Sequence, residues 1–279
     1  MIRLDKYLSD AGIGTRSEVR EYCKKGLVTV DGLVCRKSDQ KIDPGRMSVC
    51  FRGKTVSHEE TSTVCYLLNK PAGYLCATKD AVQQTIFALL PLDPKRFFPI
   101  GRLDKDSEGM LLITNDGVLS HKLTSPHMHV PKTYEVWISG TLTETELASL
   151  QNGTDIGDDT PCLPAEVVIL RTEPSYPLTE TEQKRLPAGT PKQIVASQVR
   201  ITICEGRYHQ VKRMFHANRH EVFRLKRISI GTLSLENDLK PGEFRQLMPE
   251  EIARATSSVP VSPKKGKNLS NAVNNVTKS

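Results

Sequence analysis

Three acidic side chains and one arginine stand close together between residues 101 and 109, in a segment bounded by glycine at both ends. The acids are Asp104, Asp106 and Glu108, and Arg102 precedes them. A carboxylate held in such a loop can act as a nucleophile or as a general acid or base. Because loops without a catalytic role also collect charged residues, this loop by itself predicts a candidate site and no particular reaction.

A second segment offers cations that could serve such a carboxylate. Residues 205–215 predict a helix whose buried face has i, i+3 and i+4 spacing, formed by Val211, Met214 and Phe215. Lys212 and Arg213 stand beside that face, so both side chains can reach a cleft next to the helix.

Apolar strands must position these groups. Residues 110–114 predict a buried strand directly after the acidic loop. Residues 132–138 predict an alternating strand with Tyr134 near its start, and residues 222–230 predict a further strand that contains Leu225. The acidic loop is therefore expected at the end of a sheet.

Metal binding is not predicted. The seven cysteines are scattered without a C-x-x-C pair, which is typical of reduced, buried thiols. The histidine candidates are His127 with His129, and His209 with His216 and His220. No carboxylate or thiolate nearby completes a ligand set for them, so we expect no metal site.

Length and composition indicate a globular protein of about two domains, since the chain has 279 residues and 38% hydrophobic content. No apolar run approaches the roughly 18 residues of a membrane span. The first residues contain no apolar signal segment. We expect a cytoplasmic protein without a membrane partner.

The net charge of +7 is unevenly placed along the chain. Residues 1–58 carry +5, residues 259–279 carry +4, and the residues between them carry −2. This asymmetry favours an anionic polymer bound through the ends of the chain, although a simple gain in solubility explains the charge equally well.

The first 58 residues predict two helices and a hairpin. A helix over residues 4–11 is followed by a second that starts with the capping box Thr15-Arg16-Ser17-Glu18 and stops at Gly26. Asp31-Gly32 predicts a tight hairpin turn. Six cations are expected on the solvent faces of the helices, where they could meet phosphates, namely Arg3, Lys6, Arg16, Arg20, Lys24 and Lys25.

This N-terminal pattern resembles the S4 domain, a small RNA-binding module. The motifs that carry the resemblance are Arg3-Leu4-Asp5-Lys6, Gly12-Ile13-Gly14-Thr15-Arg16-Ser17 and Gly26-Leu27-Val28-Thr29-Val30-Asp31-Gly32. The resemblance implies structured RNA as a partner and implies no catalysis.

The remainder resembles the RsuA-type pseudouridine synthases, which carry an S4 domain and act on small-subunit ribosomal RNA. The matching segments occur in the family's order, namely Asn69-Lys70-Pro71-Ala72-Gly73, Gly101-Arg102-Leu103-Asp104, Lys132-Thr133-Tyr134 and residues 205–215. The resemblance implies that a uridine of 16S ribosomal RNA, of the uridine-516 type, is isomerised to pseudouridine without a cofactor. It also implies 16S RNA or a small-subunit assembly intermediate as partner, with the protein a monomer.

The same resemblance assigns roles to individual residues. It makes Asp104 the essential carboxylate, acting as nucleophile or as base, and Tyr134 the aromatic ring that stacks on the flipped uracil. Lys212 is implied as the cation paired with Asp104, with Arg213 as its alternative or as a phosphate ligand. Arg102 is expected to fill the gap left by the flipped base or to grip the backbone, and Leu225 to close the floor of the pocket.

Three rival interpretations remain at this point. A glycoside hydrolase would use Asp104 with Glu108 as a carboxylate pair, but would not explain the S4 module. A non-catalytic S4 protein would bind ribosomal RNA only, and a synthase of the large-subunit branch would act on 23S RNA.

The expected architecture is α+β. We predict an S4 domain at residues 1–58 and a synthase domain with a mixed, mostly antiparallel sheet at residues 59–258. Residues 259–279 are expected to form a basic disordered tail. Residues 171–193, which contain four prolines among threonine and glutamate, are expected to form an exposed loop or insertion.

Overall fold

A computed structural model describes residues 1–56, 63–235 and 239–256. The predicted boundaries at residues 58 and 258 and the predicted tail lie outside the described residues. No helix among the described residues is long and apolar enough to cross a membrane.

The N-terminal elements are short and closely spaced. In chain order they are β1 (Ile2–Arg3), α1 (Leu4–Asp10), α2 (Arg16–Lys24), β2 (Val28–Val30), β3 (Leu33–Val34), β4 (Lys41–Ile42), β5 (Val49–Phe51) and β6 (Lys54–Thr55). Strand β1 pairs with β4, and a four-stranded sheet has the order β3-β2-β5-β6. Buried side chains from both helices and both sheets form one apolar cluster.

Local sequence signals account for these elements. The predicted capping box is confirmed, because the Thr15 hydroxyl accepts from the Glu18 amide and the Glu18 carboxylate accepts from the Thr15 amide. Asp31 and Gly32 both have positive φ, at 50° and 79°, as a type I′ hairpin turn requires. The two predicted helices and the hairpin are therefore confirmed.

The remaining elements build the larger part of the molecule. They are β7 (Cys65–Lys70), β8 (Phe98–Ile100), β9 (Glu108–Thr114), α3 (Gly117–Thr124), β10 (Lys132–Ser139), α4 (Glu144–Asn152), β11 (Glu166–Pro177), α5 (Glu180–Gln183), β12 (Gln193–Ile203), α6 (Gln210–Ala217), β13 (Val222–Ile230), β14 (Leu233–Ser234), β15 (Phe244–Gln246) and α7 (Pro249–Thr256). Short 3-10 helices span Ile86–Leu89 and Pro126–Met128.

One mixed sheet organises these elements. Its main order is β11-β12-β10-β13-β9-β7-β15, with β14 beside β13 and β8 beside β9. Strands β13 and β9 pair in parallel, while the other neighbours pair antiparallel. The predicted α+β class with a mixed, mostly antiparallel sheet is confirmed.

The parallel contact between β9 and β13 depends on Gly109. This glycine has a φ of +97°, and a Cβ atom there would collide with the backbone carbonyl of Arg227. The glycine that closes the acidic loop is therefore the residue that lets two strands meet directly beside it.

The sheet is covered on both faces. One face packs against α6 through the cluster that contains Val211, Met214 and Phe215, which confirms the predicted buried face of that helix. The other face packs against α3 and α7. The acidic loop contributes Leu103 to the first of these clusters.

The prediction of a loop at residues 171–193 is wrong for residues 171–177, which are the end of β11, whereas residues 178–192 connect β11 to β12 and are mostly exposed, as predicted. Strand β11 continues to Pro177 and pairs with β12 as a long hairpin, and α5 lies between them. The Tyr176 ring packs against Trp137 and Phe223, with centroid distances of 4.6 and 5.4 Å. Proline is compatible with a strand here because β11 is at the edge of the sheet and needs no donor on its outer side.

Candidate active site

The loop between β8 and β9 carries Asp104 and Asp106, with Glu108 as the first residue of β9, and is fixed at several points. Leu103 is buried, and its amide donates to the Cys76 sulfur at 3.3 Å. The Gly73 amide donates to the Lys105 carbonyl at 2.7 Å. The residues before and after Asp104 are thus anchored, while its own side chain stays 26% exposed and open to a substrate.

Lys70 anchors the same loop from beneath. It ends β7 with a fully buried side chain, and its ammonium group donates to the carbonyls of Asp104 at 3.2 Å, Lys105 at 3.2 Å and Ser107 at 2.8 Å. Pro71 supplies a further carbonyl at 3.0 Å. Burial lowers the pKa of Lys70, but these carbonyl groups satisfy its donors and hold the acidic loop in one conformation.

The Asp104 carboxylate lies between two side chains from the start of α6. Its Oδ2 atom is 3.2 Å from Lys212 Nζ, and its Oδ1 atom is 3.3 Å from His209 Nε2. A cation and an imidazole therefore flank one partly exposed carboxylate. Such a setting orients the carboxylate for attack on a substrate or for proton transfer.

Asp106 competes for the same lysine. Its two carboxylate oxygens accept from Lys212 Nζ at 2.7 and 2.9 Å, which is closer than Asp104. Burial alone would raise the pKa of Asp106, but the hydrogen bonds and the charge of Lys212 outweigh this and lower the pKa. Lys212 is therefore shared by the carboxylates of Asp104 and Asp106.

The turn that leads into α6 positions His209 and Lys212. The Gln210 side chain accepts from the Arg207 amide at 3.0 Å and donates to the Glu205 carboxylate at 2.6 Å. His209 adopts a left-handed conformation with a φ of 49°. This turn aims the imidazole at Asp104, and Lys212 follows three residues later on the adjacent helical turn.

Tyr134 and Leu225 lie next to each other in the sheet. Tyr134 of β10 is 7% exposed, and Leu225 of β13 faces Val136, two residues further along β10. Both side chains belong to the apolar cluster that also contains Leu103, the neighbour of Asp104. The structure therefore brings the predicted aromatic residue and the predicted pocket floor into the core beneath the acidic loop.

Arg102 and Arg213 have different surroundings. Arg102 is exposed and lies two positions before Asp104 in the chain. Arg213 binds the Asp158 carboxylate at 2.6 Å and the Ile156 carbonyl at 2.6 Å, so it holds a neighbouring loop. Of the two cations that the sequence offered as the partner of Asp104, the geometry favours Lys212.

The histidines proposed as weak metal candidates are dispersed. His209 contacts Asp104, whereas His216 contacts Glu221 at 2.8 Å, and His220 Nδ1 lies 2.6 Å from the Ser139 carbonyl. Within residues 1–56, 63–235 and 239–256, no group of three or more histidine, cysteine or acidic side chains is arranged to hold a metal ion.

The six N-terminal cations divide into two sets. Three are paired with a nearby carboxylate, namely Arg3 with Asp5 at 2.7 Å, Lys6 with Asp10 at 2.6 Å and Lys24 with Glu21 at 2.8 Å. Arg16, Arg20 and Lys25 are exposed on α2 and at its C-terminal end. The prediction that all six lie on helices is wrong for Arg3, which belongs to β1.

Sequence reasoning missed two residues of this site. His209 was considered only as a metal ligand, although its position three residues before Lys212 placed it on the same side of the helix start. Lys70 was considered only as part of the segment Asn69-Lys70-Pro71-Ala72-Gly73, which resembles the synthase family. The signal that could have found it is a lysine at the end of an otherwise apolar strand, where a charge needs internal partners.

Family comparisons agree with this architecture. The family model for the S4 domain matches residues 2–47, and the model described as RNA pseudouridylate synthase matches residues 64–217. The chain is therefore an RNA-modifying enzyme that carries an RNA-binding domain. It belongs to the RNA pseudouridine synthase family, as its motifs predicted.

Named relatives resemble nearly the whole chain. An uncharacterized RNA pseudouridine synthase of Bacillus subtilis is 40% identical over 253 residues, covering 90% of this chain and 97% of the relative. The ribosomal small subunit pseudouridine synthase A of Yersinia pestis is 38% identical, covering 90% of this chain and 97% of its own. The protein of that name from Escherichia coli is 36% identical, and the match covers 90% of this chain and 99% of the relative.

A solved structure shares the fold. It is described as the crystal structure of a pseudouridylate synthase, and it superposes with a TM-score of 0.61 at 30% sequence identity. The similarity covers 91% of this chain and all of the other chain. The likeness therefore extends over both the S4 domain and the synthase sheet.

Proposed function

We propose that this protein converts a specific uridine of 16S ribosomal RNA to pseudouridine, with Asp104 as the catalytic carboxylate. The observation that carries the proposal is the placement of Asp104 between Lys212 and His209 in a pseudouridine synthase fold. The names of the small-subunit relatives support ribosomal RNA of the small subunit as substrate.

The reaction is an isomerisation that needs no cofactor. The bond between C1′ of the ribose and N1 of the uracil breaks, the base turns, and a bond forms between C1′ and C5. The proton that leaves C5 is balanced by one gained at N1. Asp104 would either attack the nucleotide covalently or remove a proton from the sugar, and Lys212 would hold its carboxylate in orientation.

The flipped base needs a pocket. We assign Tyr134 to stacking on the uracil and Leu225 to the pocket floor, since both lie in the apolar cluster below the acidic loop. Arg102 is exposed, lies two positions before Asp104 in the chain and is suited to fill the vacated position or to grip the backbone. The ion pair of Arg213 with Asp158 supports a structural role over a phosphate contact.

The N-terminal domain supplies RNA affinity in this proposal. Residues 1–58 form the RNA-binding domain, residues 59–258 the synthase domain, and residues 259–279 a basic tail. The protein acts as a monomer in the cytoplasm on 16S RNA or a small-subunit assembly intermediate. A uridine-516 type target is the specific form of the proposal, with 23S RNA as its alternative.

The test uses recombinant full-length protein with 16S transcript or small-subunit precursor particles, and detects pseudouridine by carbodiimide block of primer extension. We expect one new block with wild-type protein and none with Asp104→Asn. Glu108→Gln is the matched carboxylate control, since Glu108 follows the same loop but pairs with Arg224 at 3.8 Å, and it should retain the block. Wild-type protein that leaves 16S RNA unmodified but modifies 23S RNA would contradict the small-subunit target.

A further inference from the structure

Tyr208 is an exposed aromatic side chain that stacks on His209, the imidazole that contacts the candidate catalytic carboxylate. It is 74% exposed, and it is the only aromatic residue among the large hydrophobic side chains that are exposed in the described part of the chain. One face of its ring stacks on His209, with a centroid distance of 3.8 Å and an interplanar angle of 18°. The opposite face of the ring is therefore open to solvent.

Hydrogen bonds of two arginine side chains fix the backbone that carries the stacked rings of Tyr208 and His209. The Arg207 guanidinium donates to the Thr160 carbonyl at 2.5 Å and to the Pro161 carbonyl at 2.7 Å, and it also binds Glu205 at 3.1 Å. The Arg213 guanidinium donates to the Tyr208 carbonyl at 3.3 Å. An exposed ring on a backbone fixed in this way loses little conformational freedom when a ligand stacks on it.

The stack is directly connected to the reaction centre. The imidazole of His209 contacts Tyr208 through its ring face and Asp104 through Nε2, at 3.3 Å from the carboxylate. Arg102 and Lys105, on either side of Asp104 in the chain, are both exposed and positively charged. An open aromatic face together with exposed cations in the same site is the combination that binds a single-stranded nucleotide, through its base and its phosphates.

We propose that Tyr208, supported by His209, is a stacking site for the nucleobase adjacent to the flipped uridine. The inference rests on the proposed function, because it takes RNA with one base turned toward Asp104 as the ligand. Removal of the target base from its stack leaves the face of a neighbouring base uncovered. The open face of Tyr208 can cover that base, which would stabilise the flipped state and orient the strand at Asp104.

The test compares steady-state kinetics of Tyr208→Ala and Tyr208→Phe on 16S RNA, as transcript or in precursor particles. Tyr208→Ala should raise KM about 5- to 100-fold and change kcat less than about threefold, because stacking binds the RNA and does no chemistry. Tyr208→Phe should restore KM, since it keeps the aromatic face. Met248→Ala is the matched control, because Met248 is also exposed but follows β15, an edge strand of the sheet, and is no part of the site around Asp104 described above.

A substrate change tests the contact itself. After the modified uridine is mapped, two ligated 16S RNAs lack the base on its 5′ or its 3′ side. For wild-type protein, one of these two RNAs should raise KM by the same factor as Tyr208→Ala does on intact RNA. For Tyr208→Ala, that RNA should raise KM no further. The inference would be overturned if removal of either base raised KM of Tyr208→Ala by the same factor as KM of wild type. It would also be overturned if Tyr208→Ala left KM on intact RNA unchanged. In both cases, wild-type activity would still uphold the proposed function. Wild-type protein that modifies no uridine would overturn both.

Discussion

Both carboxylate oxygens of Asp106 accept hydrogen bonds from the Lys212 ammonium group, at 2.7 and 2.9 Å. The same ammonium group lies 3.2 Å from Asp104. The lysine beside the candidate catalytic carboxylate is therefore itself held by a second carboxylate two residues further along the loop. Asp106 is a positioning residue in this arrangement, because it acts on Asp104 through Lys212.

Replacing Asp106 with asparagine should lower kcat about tenfold and leave KM for RNA within about twofold. The amide removes the charge that fixes Lys212, but it leaves Asp104 and the base pocket intact. Asp104→Asn, in contrast, should lower activity more than about 1,000-fold, because the nucleophile or base is lost. Single-turnover pseudouridine formation at saturating RNA would measure both. Equal losses in the two variants would contradict these assignments.

Replacing Lys212 with methionine should reduce kcat at least about 100-fold, since Asp104 and Asp106 would then face each other without a cation between them. Lys212→Arg should recover part of this activity because it restores the charge. Arg213→Met serves as the neighbouring control and should cost less in kcat, since Arg213 is bound to Asp158. The prediction fails if Arg213→Met proves the more damaging change in single-turnover assays.

Replacing Lys70 with methionine should lower the free energy of unfolding by about 3 kcal/mol, because four backbone carbonyls lose their charged donor inside the protein. Chemical denaturation followed through the fluorescence of Trp137, the single tryptophan, would measure the loss. Lys79→Met, at an exposed position, should change stability by less than about 0.5 kcal/mol. Similar stability in the two variants would show that the Lys70 contacts do not hold the loop.

Lys132 should make stability depend on pH above neutrality. Burial, together with the charge of Arg227, lowers the pKa of Lys132 to about 8 in the folded protein. The unfolded chain releases this proton near pH 10.4, so between these values the unfolded state binds more protons and stability rises with pH.

The test subtracts the unfolding free energy of Lys132→Met from that of wild type at each pH. The difference should increase by about 1–2 kcal/mol between about pH 7.5 and pH 9.5. A difference that stays flat or falls across this range would mean that Lys132 keeps an ordinary pKa in the folded protein.

The N-terminal cations should contribute unequally to RNA affinity. Arg20→Ala should weaken RNA binding and reduce the salt dependence of log K by about 0.7–0.9, the effect of one lost phosphate contact. Lys6→Ala should change both quantities less, because Lys6 is already paired with Asp10. Binding of 16S RNA by full-length protein at several salt concentrations would measure these effects. The prediction is contradicted if Lys6→Ala has the larger effect.

Much of the local structure could be predicted from the sequence because its causes are local. The Thr15 capping box, the Asp31-Gly32 turn and the apolar face of α6 depend on residues a few positions apart, and the structure confirms them. The loop prediction failed for residues 171–177 because prolines indicate a loop when the neighbours of the strand are unknown. Only the position of β11 at the sheet edge makes Pro174 and Pro177 compatible with a strand.

The sequence by itself determined the fold class, the family and Asp104 as the candidate carboxylate, because motif residues and hydrophobic periodicity are readable along the chain. The tertiary structure decided which groups surround that carboxylate. Lys212 and His209 are more than 100 positions from Asp104 in the chain, and Lys70 is 34 positions away. Contacts over such separations are set by the packing of the parallel pair β9 and β13 and of α6 on the sheet, which no local pattern encodes.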